Sequence, residues 1–186
     1  MMRLFIALPL PREIEEGLGK LIFVLKQKGG HIKWVAPKNI HLTVKFLGEV
    51  DEAGVNDISA AVEKTAAKYE VIDGNIENIG AFPDLIRPRV IWAGMAGDIQ
   101  TVESIVKDIE DAMAALGFAR EDKRFKPHLT LGRVKENYGL GDLVSYIKSY
   151  QLTPMAFRLT SLVLFKSTLT PRGPIYDRLL EVPLKG

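Results

Sequence analysis

One four-residue pattern, His-Leu-Thr followed by an aliphatic residue, occurs twice in this 186-residue chain. It reads His41-Leu42-Thr43-Val44 and, 87 residues later, His128-Leu129-Thr130-Leu131. Only three histidines exist, and two of them open these phrases. A self-match separated by close to half the chain marks an internal duplication. It predicts two similar halves, each contributing one strand of the same pattern. Within a strand, residues i and i+2 project to one face. His41 and Thr43 therefore share a face, with Leu42 and Val44 behind them, and His128 and Thr130 likewise oppose Leu129 and Leu131. Each strand would present an imidazole beside a hydroxyl, anchored by an apolar back.

The remaining pattern predicts an α+β fold with antiparallel sheets. Arg3–Leu8 reads as a buried strand. Residues 11–28 carry Ile14, Leu18, Leu21, Ile22 and Leu25 at helical spacing and stop at Gly29-Gly30. Strands follow over Ile32–Val35 and Ile40–Gly48, then a helix over Asp51–Tyr69 with Asp51 as N-cap. Val71–Phe82 and Arg89–Met95 read as paired strands, and Asp98–Leu116 as a helix closed by Gly117. His128–Val134 is a strand and Gly141–Tyr150 a short helix. Phe157–Leu169 and Ile175–Pro183 read as a closing strand pair. Successive hairpin-like strands favour antiparallel sheets over a doubly wound parallel one. With 47% apolar and 26% charged residues and no long linker, residues 1–186 are expected to form a single bilobal unit.

Composition removes several kinds of chemistry. With no cysteine, a disulfide scaffold, a Cys-based zinc site, an iron–sulfur cluster and a thiol nucleophile are excluded. A formal charge of +2 is too small for a protein that binds nucleic acid by bulk charge alone. The apolar start resembles a signal peptide in passing, but Pro9 and Pro11 interrupt it and Arg12-Glu13 follow at once. No apolar run approaches the roughly 20 residues of a membrane span. A cytoplasmic protein without membrane attachment is expected. There is no Gly-x-Ser-x-Gly elbow, no P-loop and no Gly-x-Gly-x-x-Gly turn. His31, beside Gly29-Gly30, reads as a solvated loop residue, so two imidazoles remain and a metal site is short of ligands. No metal and no cofactor is expected. What the two phrases do suit is acid–base work on a phosphodiester. One imidazole can donate a proton to a leaving group while the other accepts one from a nucleophile. The threonine hydroxyls can donate hydrogen bonds to phosphate oxygens.

The paired tetrads resemble those of the 2H phosphoesterase superfamily, and more narrowly its RNA 2′,3′-cyclic phosphodiesterase (2′-5′ RNA ligase) family. Supporting stretches run the length of the chain: Arg3–Ala7, Lys33-Trp34-Val35, His41–Glu49, Phe125–Arg133 and Ser167–Tyr176. The resemblance implies two lobes around a central groove, each an antiparallel sheet backed by helices. It implies His41 as proton donor to the leaving 3′ oxygen and His128 as proton acceptor from water. Thr43 and Thr130 would hold the phosphate, and a 2′-phosphomonoester would be the product. Run in reverse, the same site would join RNA ends through a 2′-5′ linkage. RNA with 2′,3′-cyclic phosphate ends is the expected partner, tRNA fragments among the candidates, and a monomer is expected. Where the family often has Arg-Trp ahead of the first motif, this chain has Lys33-Trp34, which keeps the charge but loses the planar fork. Two other readings stay open: a different cyclic nucleotide-type substrate, and a non-catalytic module that binds RNA ends.

Three further residues are candidate substrate contacts. Lys45 has the parity of His41 and Thr43, so it either lines the groove or is solvated. Phe46 could stack a base, although its parity favours the core. Arg133 points away by strict alternation, unless a bulge at Gly132 re-aims it. The basic stretch Arg120, Lys123, Arg124, Lys126, Arg133 and Lys135 flanks His128 and could guide phosphates. Tyr176 matches a family position, and Trp34 and Trp92 read as core or lobe-interface aromatics.

Overall fold

Short apolar runs closed by glycine and proline turns, alternating with amphipathic stretches, produce small sheets covered by helices. The computed structural model describes residues 1–186. Along the chain lie β1 (Met2–Pro9), α1 (Arg12–Lys26), β2 (His31–Trp34), β3 (His41–Val50), α2 (Val55–Ala66), β4 (Ile72–Phe82) and β5 (Val90–Gly97). Then come α3 (Ile99–Ala115), β6 (His128–Glu136), α4 (Gly141–Ser149), β7 (Met155–Leu159), β8 (Ser161–Thr170) and β9 (Gly173–Pro183). The strands form two sheets, in order β3-β1-β8-β9 and β2-β6-β5-β4-β7. Every strand pairing is antiparallel, as the α+β reading expects.

The helices form where the spacing places them. α1 buries Ile14, Leu18, Leu21, Ile22 and Leu25. The Asp98 carboxylate accepts from Thr101 N–H at 3.2 Å and starts α3, and Gly117, at φ +91°, lets the chain leave it. Asp51 caps a single 3₁₀ turn ahead of α2 by accepting from Ala53 N–H at 3.0 Å, so the helix proper begins later than the sequence suggests. Thirty-seven buried residues form one continuous apolar cluster. At about 1.5–3 kcal/mol for each large aliphatic side chain, this burial is the main force holding the sheets and helices together. No helix is long and apolar enough to cross a membrane.

One strand assignment changes. Phe157–Leu169 is two strands, not one: β7 pairs with β4, and after Thr160 the chain crosses to the other sheet, where β8 pairs with β1. Only the polar pair Thr160-Ser161 separates the two apolar runs, too little to show in the sequence that the chain changes sheet.

The duplication extends beyond the motifs. α1 begins at Arg12 and α3 at Ile99, the same 87-residue spacing that separates β3 at His41 from β6 at His128. The halves also exchange strands. β8, from the second half, lies beside β1 of the first, while β4 of the first half lies beside β5 of the second.

Candidate active site

β3 and β6 carry the two motifs and are in contact across the two sheets. Val35 N–H, directly after β2, donates to the Leu131 carbonyl at 2.8 Å and extends the β2–β6 pairing toward the second motif. Within β3, Leu42 and Val44 are buried while His41 and Thr43 are only partly so, and β6 repeats this with Leu129, Leu131, His128 and Thr130. The alternation read from the sequence therefore holds through each tetrad.

Beyond the tetrads it fails, at equivalent places in both strands. Thr43 faces Ala7 and Lys45 faces Ile6, so β3 carries one extra residue, Val44. Thr130 faces Trp92 and Gly132 faces Ile91, so Leu131 is the extra residue in β6. Each bulge shifts the parity of everything after it. Phe46 then lies opposite Phe5, which shares a face with Ala7, so Phe46 joins the His41–Thr43 face. Arg133 lies opposite Val90, which shares a face with Trp92, so Arg133 joins the His128–Thr130 face. Phe46 and Arg133 occupy matching positions in the two halves.

Two expectations are corrected by this geometry. Lys45 does not line the groove and is not solvated. It is 6% exposed, its ammonium bonded to Glu110 at 2.7 Å and to the Ala119 carbonyl at 2.9 Å, tying β3 to the end of α3. Phe46 is not a core residue: it is 63% exposed, with its ring 5.9 Å from Phe5.

The His41 ring sits in an aromatic cage. It stacks on Phe5 at 4.8 Å, lies 5.9 Å from Phe165, and meets the edge of Tyr176 at 5.4 Å. Burial among these rings pushes its pKa down to about 4, against a hydrogen bond to the Asn39 carbonyl that favours the charged form. His128 is held in the same way by a carbonyl two residues back, Nδ1 lying 2.6 Å from the Lys126 oxygen. A carbonyl only accepts, so in His128 Nδ1 carries the hydrogen and Nε2 is left free of it. Phe82 meets His128 edge-on at 5.0 Å, and Lys126 reaches over the Phe82 ring at 5.6 Å.

Charge on the His128 face is arranged for an anion. Lys33 lies directly across from Arg133 in the β2–β6 ladder. Like charges at such a position are destabilising unless something negative lies between them. Tyr176, packed beside His41, feels the positive charge of Arg133 and Arg3. Burial nonetheless raises the Tyr176 hydroxyl above its usual range.

The other candidates lie further out. His31 opens β2, exposed, 3.1 Å from the Glu136 carboxylate. No three His, Asp or Glu side chains are grouped as metal ligands. Arg120 is taken up by Asp111 at 2.6 Å. Trp34 packs against Gly132, and Trp92 lies over Gly80 with its Nε1–H buried and unpartnered. Sequence reasoning missed Phe5, Phe165 and Phe82 as the walls of the two imidazoles. β1 and β8 are buried on both faces, so no alternation marks which aromatic faces the site.

Comparison with known proteins agrees with this architecture. A Thermus thermophilus protein of known structure is 28% identical, superposes with a TM-score of 0.79, and covers 100% of this chain with 99% of its own. Escherichia coli LigT, solved in complex with 3′-AMP, shares the fold at 24% identity and a TM-score of 0.79, covering 100% of this chain and 99% of its own. A relative in Methanocaldococcus jannaschii, an RNA 2′,3′-cyclic phosphodiesterase, is 38% identical over 97% of this chain and 99% of its own length. One of the same name in Thermotoga maritima is 31% identical over 100% and 97%. Two antiparallel sheets, each carrying one His-x-Thr strand, together with these relatives mark an enzyme of the 2H phosphoesterase class. The model of the LigT-like phosphoesterase family matches residues 8–92 and again 95–176, and the chain belongs to that family.

Proposed function

We propose that this protein opens RNA 2′,3′-cyclic phosphate ends to 2′-phosphomonoesters without a metal, residues 1–186 acting as one bilobal catalytic unit. The observation that carries the reading is the matched pair of imidazoles. Each is held by the carbonyl two residues before it, His128 through Nδ1, and each has a threonine on its own face. Two imidazoles, each with one nitrogen left to the substrate, are what a concerted proton transfer requires. His128 accepts a proton from water as the water oxygen bonds to phosphorus. The bond from phosphorus to O3′ breaks, and His41 gives its proton to that oxygen. Thr43 and Thr130 donate hydrogen bonds to the non-bridging oxygens, and Arg133 with Lys33 balances their charge. Phe46 offers a ring for stacking a neighbouring base. With a 5′-hydroxyl attacking in place of water and O3′ again leaving, the product is a 2′-5′ linkage. Every group named comes from one chain, so a monomer suffices. RNA ends left by cleavage, including tRNA halves, carry the required ester.

His41, neutral in the free protein, is charged for its role by the phosphodiester anion, since a nearby opposite charge favours the imidazolium. Whichever imidazole is the acid, one must be charged and the other neutral, so kcat/KM, which reports the free enzyme, should be bell-shaped with one limb bending at the His41 pKa of about 4. The decisive assay follows an oligoribonucleotide with a 2′,3′-cyclic end in EDTA and identifies the phosphate position in the product. Turnover to the 2′-phosphate that is lost in His41→Ala and in His128→Ala supports the reading. A strict need for a divalent ion, or full activity in either variant, would end it.

A further inference from the structure

The stretch of chain that leads to His128 has no scaffold of its own. Residues 119–127 belong to no helix or strand and take part in no backbone–backbone hydrogen bond. Yet this stretch carries the Lys126 carbonyl that fixes the His128 ring. Its start is held by a buried ion pair from elsewhere. Lys45 Nζ, on β3, donates to the Ala119 carbonyl at 2.9 Å and to Glu110 Oε1, on α3, at 2.7 Å. The second carboxylate oxygen, Oε2, accepts from Glu121 N–H at 3.2 Å. The lysine side chain is 5% exposed and the glutamate 15%.

The duplication shows that the fold itself does not demand this pair. At the same 87-residue offset that relates the motifs, Leu18 and Ile22 of α1 match Ile105 and Ile109 of α3, and all four are buried. At that offset Lys45 matches Gly132, and Glu110 matches Phe23, which is exposed. The approach to His41 is therefore built without an ion pair. Its equivalent of 119–127 is residues 32–40, which start within β2 and are held by the ladder to β6. The corresponding place beside β3 is the edge of its sheet, and no strand lies along it. Lys45 and Glu110 stand in for the missing ladder.

A buried ion pair adds little net stability over apolar residues of the same volume. What this one supplies is direction. Three hydrogen bonds join the strand of the first motif, two residues beyond Thr43, to the segment that ends at the second. We infer that Lys45 and Glu110 are positioning residues for the reaction. By anchoring the segment ahead of His128 they hold the Lys126 carbonyl against Nδ1, and so keep Nε2 free to take a proton.

The catalytic half of this inference rests on the phosphodiesterase reading, and the experiment separates the two. Lys45→Met combined with Glu110→Gln removes the pair without stranding a charge, folding being checked by thermal melting. Nitrogen NMR of the neutral imidazoles reports which ring nitrogen carries the hydrogen. In the wild type His128 is expected as the Nδ1–H form. In the double variant it should revert mainly to the Nε2–H form that a free imidazole prefers, with the His41 signals unmoved. On a nucleoside 2′,3′-cyclic phosphate, kcat should fall about 10- to 100-fold, the scale of a displaced reacting group. The inference falls if His128 keeps Nδ1–H in the folded double variant, or if both rings change together. It falls equally if the hydrogen moves while kcat stays within about threefold of wild type. Should the double variant not fold, Glu110→Gln is judged on the same measurements, since an amide accepts at only one of the two places a carboxylate does. If the wild type opens no cyclic phosphate, the phosphodiesterase reading fails, and the NMR result alone decides whether the pair holds His128.

Discussion

Acidification should weaken this protein through one identifiable side chain. In the folded chain, burial against Phe5, Phe165 and Tyr176 holds His41 at about 4, whereas an exposed histidine titrates near 6.5. Below pH 6.5 the unfolded chain takes up a proton at this position and the folded one does not, until the pH reaches about 4. Unfolding therefore binds a proton across that window, and stability falls as pH falls through it. The contribution is fully present above the unfolded value. At about 1.4 kcal/mol per pKa unit, the loss from His41 is about 2 kcal/mol by pH 5 and about 3 kcal/mol by pH 4. Urea unfolding at pH 7 and pH 5 measures it, with His41→Phe as the reference because a phenyl ring keeps the stacking and cannot titrate. Carboxylates contribute alike to both proteins and cancel. The drop between the two pH values should be about 2 kcal/mol smaller in His41→Phe. Equal drops would mean that the imidazole is not held in an apolar cage, and the argument built on its burial would go with it.

Other consequences are equally direct. His41→Ala and His128→Ala should each remove orders of magnitude from kcat, while Thr43→Ala and Thr130→Ala should cost about 10- to 100-fold, one charge-assisted hydrogen bond each; steady-state kinetics on a cyclic nucleotide reads both. Lys45→Ala strands the buried Glu110 carboxylate and should destabilise by about 3–5 kcal/mol, with most of that recovered in Lys45→Met combined with Glu110→Gln, as measured by urea unfolding. Arg133→Met should raise KM for an oligoribonucleotide more than it lowers kcat, and should reduce the slope of log affinity against log salt by about one. Phe46→Ala should raise KM for the oligonucleotide while leaving that for a mononucleotide nearly unchanged, because only the longer substrate has a second base to stack.

Much of this was legible in the sequence because the tetrads obey a local rule. Period-two alternation placed His41 with Thr43 and His128 with Thr130, and helical spacing placed the buried face of α1 residue for residue. The rule broke where one inserted residue changed its phase. Nothing in Val44-Lys45-Phe46 announces a bulge; a lysine after a valine in a strand looks solvated, and only the register against β1 reveals that it turns inward to Glu110. Arg133 came closer, because Gly132 is a residue type that tolerates such a kink. The tie from Lys45 to the segment before His128 was out of reach altogether. It joins β3 to residues 65 and 74 positions further on, and nothing local relates Lys45 to Glu110 or Ala119.

The exchange of strands between the halves bears on how this enzyme can fail. Melting either half would strip β1 or β5 of a neighbour contributed by the other, since β8 lies beside β1 and β4 beside β5. A partly unravelled molecule with one histidine strand intact and the other loose therefore has no stable form. The histidine pair is assembled whole or lost whole, and activity should vanish in step with global unfolding rather than ahead of it.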